Sequence, residues 1–118
     1  MKKAFLICPV RGHHPAETLG IVSKLESEGW LVHWPPRDTD QEDMYGLRIC
    51  SDNRDAISAA ERVFVCWDGK SQGCLFDLGI AFALNKRITV LSMPDATTDK
   101  SFQNMVRKWA QEQEDGRR

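Results

Sequence analysis

Residues 66–84 read Cys-Trp-Asp-Gly-Lys-Ser-Gln-Gly-Cys-Leu-Phe-Asp-Leu-Gly-Ile-Ala-Phe-Ala-Leu. The apolar run Val63-Phe64-Val65-Cys66-Trp67 leads into this stretch as a buried strand would. A polar, glycine-flanked loop follows. Helical periodicity then starts at Leu75 and continues through Leu78, Phe82 and Leu84-Asn85. Strand, loop and helix in that order belong to a parallel α/β fold. The spacing puts Asp77 in the opening turn of the helix, where the positive end of the helix dipole favours an ionised carboxylate. Two roles are open to that carboxylate. One is a dipole-favoured surface charge worth under about 1 kcal/mol; the other is a nucleophile at the carboxyl end of a sheet.

Upstream, Lys3 to Val10 is nearly continuous in apolar residues, the pattern of a central parallel strand buried on both faces. It gives way to Pro9-Val10-Arg11-Gly12-His13-His14-Pro15, and Pro15 suits a first helical turn because its missing N–H costs nothing there. Leu19, Ile21, Val22 and Leu25 form the apolar stripe of that helix, and Gly29 stops it. Trp30 to Trp34 is a second strand closed by Pro35-Pro36, so residues 3–34 form one β-α-β unit with an expected right-handed crossover. Residues 37–42 are polar and predict a loop. From Glu42 to Ala60 a helical pattern returns, with Met44, Leu47, Cys50, Arg54 and Ile57 near one face. Arg62 to Trp67 is the third strand.

Downstream, Arg87 to Met93 is the fourth strand, ended by Pro94, and Asp95 to Asp99 is a turn. A last amphipathic helix carries Phe102, Met105, Val106 and Trp109, and the polar tail 112–118 is expected to fray. Four strands alternating with four helices predict a single α/β domain over 1–111. Its architecture is a flavodoxin-like, Rossmann-like three-layer sandwich with a mostly parallel sheet of four strands, or five at most, in the order 2-1-3-4.

The totals narrow the function classes. A chain of 118 residues with 42% hydrophobic content builds one core. Sixteen basic and 17 acidic residues give a net charge of −1, with no excess to favour a nucleic-acid or membrane partner. Pro9 and Arg11 interrupt the first apolar run too early for a signal segment or a membrane span. Cys8, Cys50, Cys66 and Cys74 form no Cys-x-x-Cys pair and read as free thiols of a cytoplasmic protein, not as disulfides or a zinc site.

In a 2-1-3-4 sheet, ligands bind beyond the carboxyl ends of the strands, at the switch between strands 1 and 3. That rule nominates residues 9–14 and 67–73. In the first loop, backbone N–H groups ahead of a helix favour an anion, and Arg11 adds a fork suited to phosphate. A tight turn with a solvated arginine is the alternative. The loop is neither a Gly-x-Gly-x-x-Gly fingerprint nor a P-loop. Adjacent His13 and His14 diverge and have no partner at metal-ligand spacing, so no metal is expected. The second loop offers Asp68, Gly69, Ser71, Gln72 and Gly73. Gly73, four residues before Asp77, leaves backbone room for a ligand, and Gly79 is expected to let the helix approach the sheet. Ser51-Asp52-Asn53-Arg54-Asp55 falls mid-helix, where buried polar groups are costly. These residues are either solvated, or Asn53 or a flanking aspartate faces the site.

Gly73-x-x-x-Asp77-Leu78-Gly79-x-Ala81, followed by Asn85-Lys86-Arg87-Ile88, resembles the nucleoside 2-deoxyribosyltransferase superfamily. Within it the likeness is nearest to the 2′-deoxynucleoside 5′-phosphate N-hydrolases, whose pattern there is Gly-x-x-x-Glu-Leu-Gly-x-Ala. Arg11-Gly12 matches an Arg-Gly pair in the family's first loop, and Ala60-Glu61 resembles its Ala-Asp. The likeness covers roughly residues 3–93. It implies cleavage or transfer at the N-glycosidic bond of a (deoxy)nucleoside or its 5′-monophosphate, through a glycosyl-enzyme. That is the retaining two-carboxylate scheme, with the groups about 5 Å apart. Asp77 stands at the nucleophile position. Cys8, Pro9, Arg11, Gly12 and His13 of the first loop would hold the sugar or phosphate, joined by Asp68, Ser71 and Gly73 of the second.

Two departures stand out. Asp77 is one methylene shorter than glutamate, a retreat of about 1 Å that can cost about a hundredfold in rate. Asn53 falls where the family has its acid aspartate; asparagine hydrogen-bonds a base but donates no proton as an acid. Asp52 or Asp55 would replace it after a small register change. The alternative is therefore a catalytically inactive nucleotide-binding module on the same scaffold. A third reading is an interaction domain, with Trp30, Trp34, Trp67 and Trp109 in an interface or in the core. The resemblance also implies a homodimer or higher homo-oligomer and no cofactor. A flavin rests on fold analogy alone, because the first loop lacks a Ser/Thr-rich run for its phosphate.

Overall fold

The computed structural model describes residues 2–10 and 15–117. Arg11, Gly12, His13 and His14 lie outside the described residues. Four strands, β1 (Lys2–Ile7), β2 (Trp30–His33), β3 (Arg62–Cys66) and β4 (Arg87–Ser92), form one sheet in the order β2-β1-β3-β4. All neighbours are parallel, with Phe5 opposite His33 on β2 and Val63 on β3. The helices are α1 (Pro15–Ser27), α2 (Pro35–Asp38), α3 (Leu47–Ala59), α4 (Gln72–Ala83) and α5 (Phe102–Glu114). The fold is the flavodoxin-like α/β sandwich that the apolar runs predict.

The two-residue period of the strands divides the core. Ala4, Leu6, Val32, Phe64 and Cys66 face α1, which contributes Val22 and Leu25. Phe5, Ile7, Val63 and Val65 face the other layer, against Ile57 of α3, Leu78 and Ala81 of α4, and Val106 and Trp109 of α5. Each fully buried Leu, Ile or Phe contributes about 1.5–3 kcal/mol. Trp34, Trp67 and Trp109 are buried and Trp30 packs edge-on against Phe64, so the tryptophans fill the core.

The helices differ from the sequence pattern in ways that matter for the site. α3 begins at Leu47 rather than Glu42. The Asp43 carboxylate accepts from the backbone N–H of Tyr45 and Ile49, and Gly46 takes a left-handed φ of 76°. Arg48 ties the loop down by donating to the carbonyls of Asp40 and Glu42. Met44 and Leu47 are accordingly 89% and 74% exposed, and the inward face of α3 is Asn53, Ala56 and Ile57. Leu19 of α1 is exposed too. The Pro35-Pro36 pair opens the short α2 where a loop was expected, because proline suits the first helical positions.

α4 begins at Gln72, three residues ahead of its apolar periodicity, because Ser71 caps it by accepting from the Cys74 N–H at 3.3 Å. Asp77 is therefore the sixth helical residue and sits one turn beyond the opening turn. Gly79 is exposed, with nothing within 4 Å of where a Cβ would sit, so it does not set the helix–sheet distance. At the C-terminus the helix runs on to Glu114. Gln113 is buried: its Oε1 accepts from the Ile88 N–H at 2.9 Å and its Nε2 donates to the Lys86 carbonyl at 2.7 Å. α5 thus takes in Glu112 to Glu114, which the polar composition assigned to the tail. Among the described residues, no helix is long and apolar enough to cross a membrane.

Candidate active site

The chain leaves β1 at Cys8 and β3 at Trp67-Asp68, on the same end of the sheet. A cavity of about 810 Å³ opens there, lined by Cys8, Asn53, Asp68, Ser71, Gly73 and Asp77, with Tyr45 and Phe76 also on its wall. This is the switch position that the strand order nominates.

Asp77 is 8% exposed and faces this cavity from α4. Burial pushes its carboxyl up from 3.8 to about 7. The dipole-held, fully ionised carboxylate expected of an opening-turn residue is thus corrected. One turn further in, desolvation outweighs the helix dipole. At neutral pH the group is divided between acid and carboxylate. Cys8 and Cys74 flank it as neutral thiols. Both are pushed up to about 12, chiefly by burial, and a charge on Asp77 raises them further.

Asn53 is 7% exposed and lines the cavity from α3. Thr39 Oγ1 donates to its Oδ1 at 2.7 Å, and His33 Nε2 lies 2.7 Å from the same hydroxyl. Asp52 and Asp55 point away. Asp52 is exposed and pairs with Arg48 at 2.9 Å; Asp55 is exposed and pairs with Arg54 at 3.1 Å. Neither is among the residues that line the cavity. The helical period that turns Asn53 inward turns both aspartates to solvent.

The second loop is internally satisfied. Asp68 Oδ1 accepts from the N–H groups of Lys70 and Ser71 at 2.9 and 2.8 Å. Partial burial raises the Asp68 carboxyl, but these donors outweigh it and hold the group below its ordinary range. Asp43, also on the wall, is held low by backbone donors, the Ile49 N–H foremost. Among the described lining, Asp77 is therefore the carboxyl that exchanges a proton near neutral pH. Ser71 Oγ is used as the α4 cap and keeps its own proton to donate. A Cβ on Gly73 would meet only Ser71 Oγ, at 3.8 Å, so glycine is not required there. The demanding glycine is Gly69, with a φ of 80° and a Cβ position 2.7 Å from Pro94 Cγ.

Pro9 is buried and is not among the residues that line the cavity. Arg11, Gly12 and His13 fall outside the described residues. The sequence reading missed Thr39 and His33, which hold Asn53, and Tyr45 and Phe76 at the wall. A polar loop threonine carries no periodic signal, and only its tertiary partner identifies it. Among the described residues no group of three or more His, Cys, Asp and Glu is placed to hold a metal ion. Comparison with protein-family models and with curated proteins yields no match to this chain.

Proposed function

We propose that the protein is a nucleoside 2-deoxyribosyltransferase-like N-glycosidase acting on a (deoxy)nucleoside or its 5′-monophosphate. The observation that carries this is Asp77: a desolvated carboxylate on the wall of an 810 Å³ cavity at the sheet's carboxyl end. An ionised Asp77 oxygen bonds to the anomeric carbon as the bond to the base nitrogen breaks, and the base leaves with that electron pair and takes up a proton from solvent. Burial leaves the carboxylate poorly solvated, so positive charge developing at the anomeric carbon is attracted to it. Water then attacks the same carbon, the ester C–O bond breaks, its proton passes to solvent and Asp77 is restored. Asn53 hydrogen-bonds the base. Ser71 offers a hydroxyl to the sugar or phosphate.

The second reading, a binding module, is favoured by one observation. Asn53 carries no acidic proton, and Asp43 and Asp68 stay ionised, so no second acid stands in the described lining. Four free thiols support a reducing, cytoplasmic setting. Exposed Met44, Tyr45 and Phe76 around the cavity support a homodimer or higher homo-oligomer.

The test is chromatographic. The protein and its Asp77→Asn variant are incubated with nucleosides, deoxynucleosides and their 5′-monophosphates, with and without an acceptor base. Free or exchanged base from the unaltered protein alone supports the glycosidase. Ligand bound but recovered intact moves the assignment to the binding module.

A further inference from the structure

Three segments meet behind the cavity. β2 supplies His33, the residue after α2 supplies Thr39, and α3 supplies Asn53. The Thr39 hydroxyl has one proton, and it goes to Asn53 Oδ1 at 2.7 Å, an atom that only accepts. Toward His33 the same oxygen is left as an acceptor, so the 2.7 Å contact requires the hydrogen on His33 Nε2. The relay therefore has a direction, from His33 Nε2–H through Thr39 to Asn53. Each member is held. The His33 ring stacks on Phe5 with centroids 5.4 Å apart and planes 7° apart. Thr39 is buried, and its N–H donates to the Pro35 carbonyl at 3.1 Å. Burial keeps the His33 pKa below its ordinary value, so the ring carries a single N–H at neutral pH.

With Oδ1 committed, the free end of the Asn53 amide is its NH₂ group. Asn53 lines the cavity, and among the described residues the hydrogen bond its side chain makes is the one that Oδ1 accepts from Thr39. We propose that the His33–Thr39 relay makes Asn53 a specificity-determining residue that presents a donor to the cavity. The site then takes bases that turn a carbonyl to it and rejects those that turn an amino group. This rests on the nucleoside reading above and adds its substrate class: oxo-bases ahead of their amino counterparts. A donor facing a donor leaves both unpaired in a desolvated wall, a penalty of about tenfold or more in affinity.

Two measurements test it. Long-range ¹⁵N–¹H spectra of the labelled protein at neutral pH report the His33 tautomer. Hydrogen on Nε2 is expected; hydrogen on Nδ1 would reverse the relay, turn the Asn53 carbonyl to the cavity and overturn the proposal. Calorimetric titration then compares inosine with adenosine and uridine with cytidine. The unaltered protein should prefer the oxo member of each pair about tenfold or more. Thr39→Val should abolish that preference, Thr39→Ser should keep it, and Asn53→Asp should reverse it. Equal affinities in the unaltered protein, or a preference untouched by Thr39→Val, would refute the proposal. The two failures are separable. Nδ1–H in a protein that binds and cleaves nucleosides removes the proposal alone. A protein that binds none of the four loses the nucleoside reading and, with it, the oxo-base class.

Discussion

Replacing Asp77 with asparagine should stabilise the protein, by an amount that depends on pH. The carboxyl is 8% exposed, and burial raises it from 3.8 to about 7. In the unfolded chain it titrates at its ordinary value. Below pH 3.8 both states hold the proton and the group contributes its full share. Between the two values the unfolded chain has released a proton that the folded one retains, so stability falls by about 1.4 kcal/mol per pH unit. Above about pH 7 both states are ionised, and the accumulated loss is about 4 kcal/mol. That is a large part of the 5–15 kcal/mol or so that holds a small domain together. Asparagine matches the protonated side chain in shape and does not titrate. Urea unfolding of both proteins should therefore give a gap of about 2 kcal/mol at about pH 5, widening to about 4 kcal/mol at about pH 8. Other titrating groups, His33 among them, are common to both proteins and cancel. A gap that does not change with pH, or an unaltered protein that is the more stable at high pH, would refute the desolvation argument.

Three further outcomes follow from the same geometry. Base release should rise with pH through about 7 as Asp77 ionises; a fall through that range would make Asp77 the proton donor instead. Gly69→Ala meets both a φ of 80° and Pro94 Cγ at 2.7 Å, and should cost about 1–3 kcal/mol in urea unfolding. Gln113→Leu strands the Ile88 N–H and the Lys86 carbonyl, and should lower stability by about 2 kcal/mol while speeding amide exchange at Ile88.

The sheet was legible because central parallel strands are written as unbroken apolar runs. Phe5-Leu6-Ile7 and Val63-Phe64-Val65 could hardly be anything else. The strand order then located the cavity, and Asp77 and Asn53 both lie on it. Helix starts were less legible. Ser71-Gln72-Gly73-Cys74 begins a helix through a cap and a preceding Asp68 turn, neither of which has a period to detect. At Met44 and Leu47 the reverse holds: apolar residues continue a helical spacing, yet Asp43 and Gly46 turn the chain and leave them in solvent. The charge state of Asp77 was hidden for a different reason. A helix dipole is a property of the local chain, whereas desolvation is set by residues brought from β1, α3 and α4 together.

The Gln113 amide has a consequence for how copies of the chain can meet. A strand at the border of a sheet exposes backbone donors and acceptors that another chain can adopt as a template. At the start of β4, the carbonyl of Lys86 and the N–H of Ile88 are already taken by one side chain, which stands in for a strand one residue long. β2 forms the opposite border, four residues long with Leu31 exposed. The two borders are thus unequal. Strand addition along β4 would have to start beyond Ile88, because a single glutamine already occupies the first pairing position of that border.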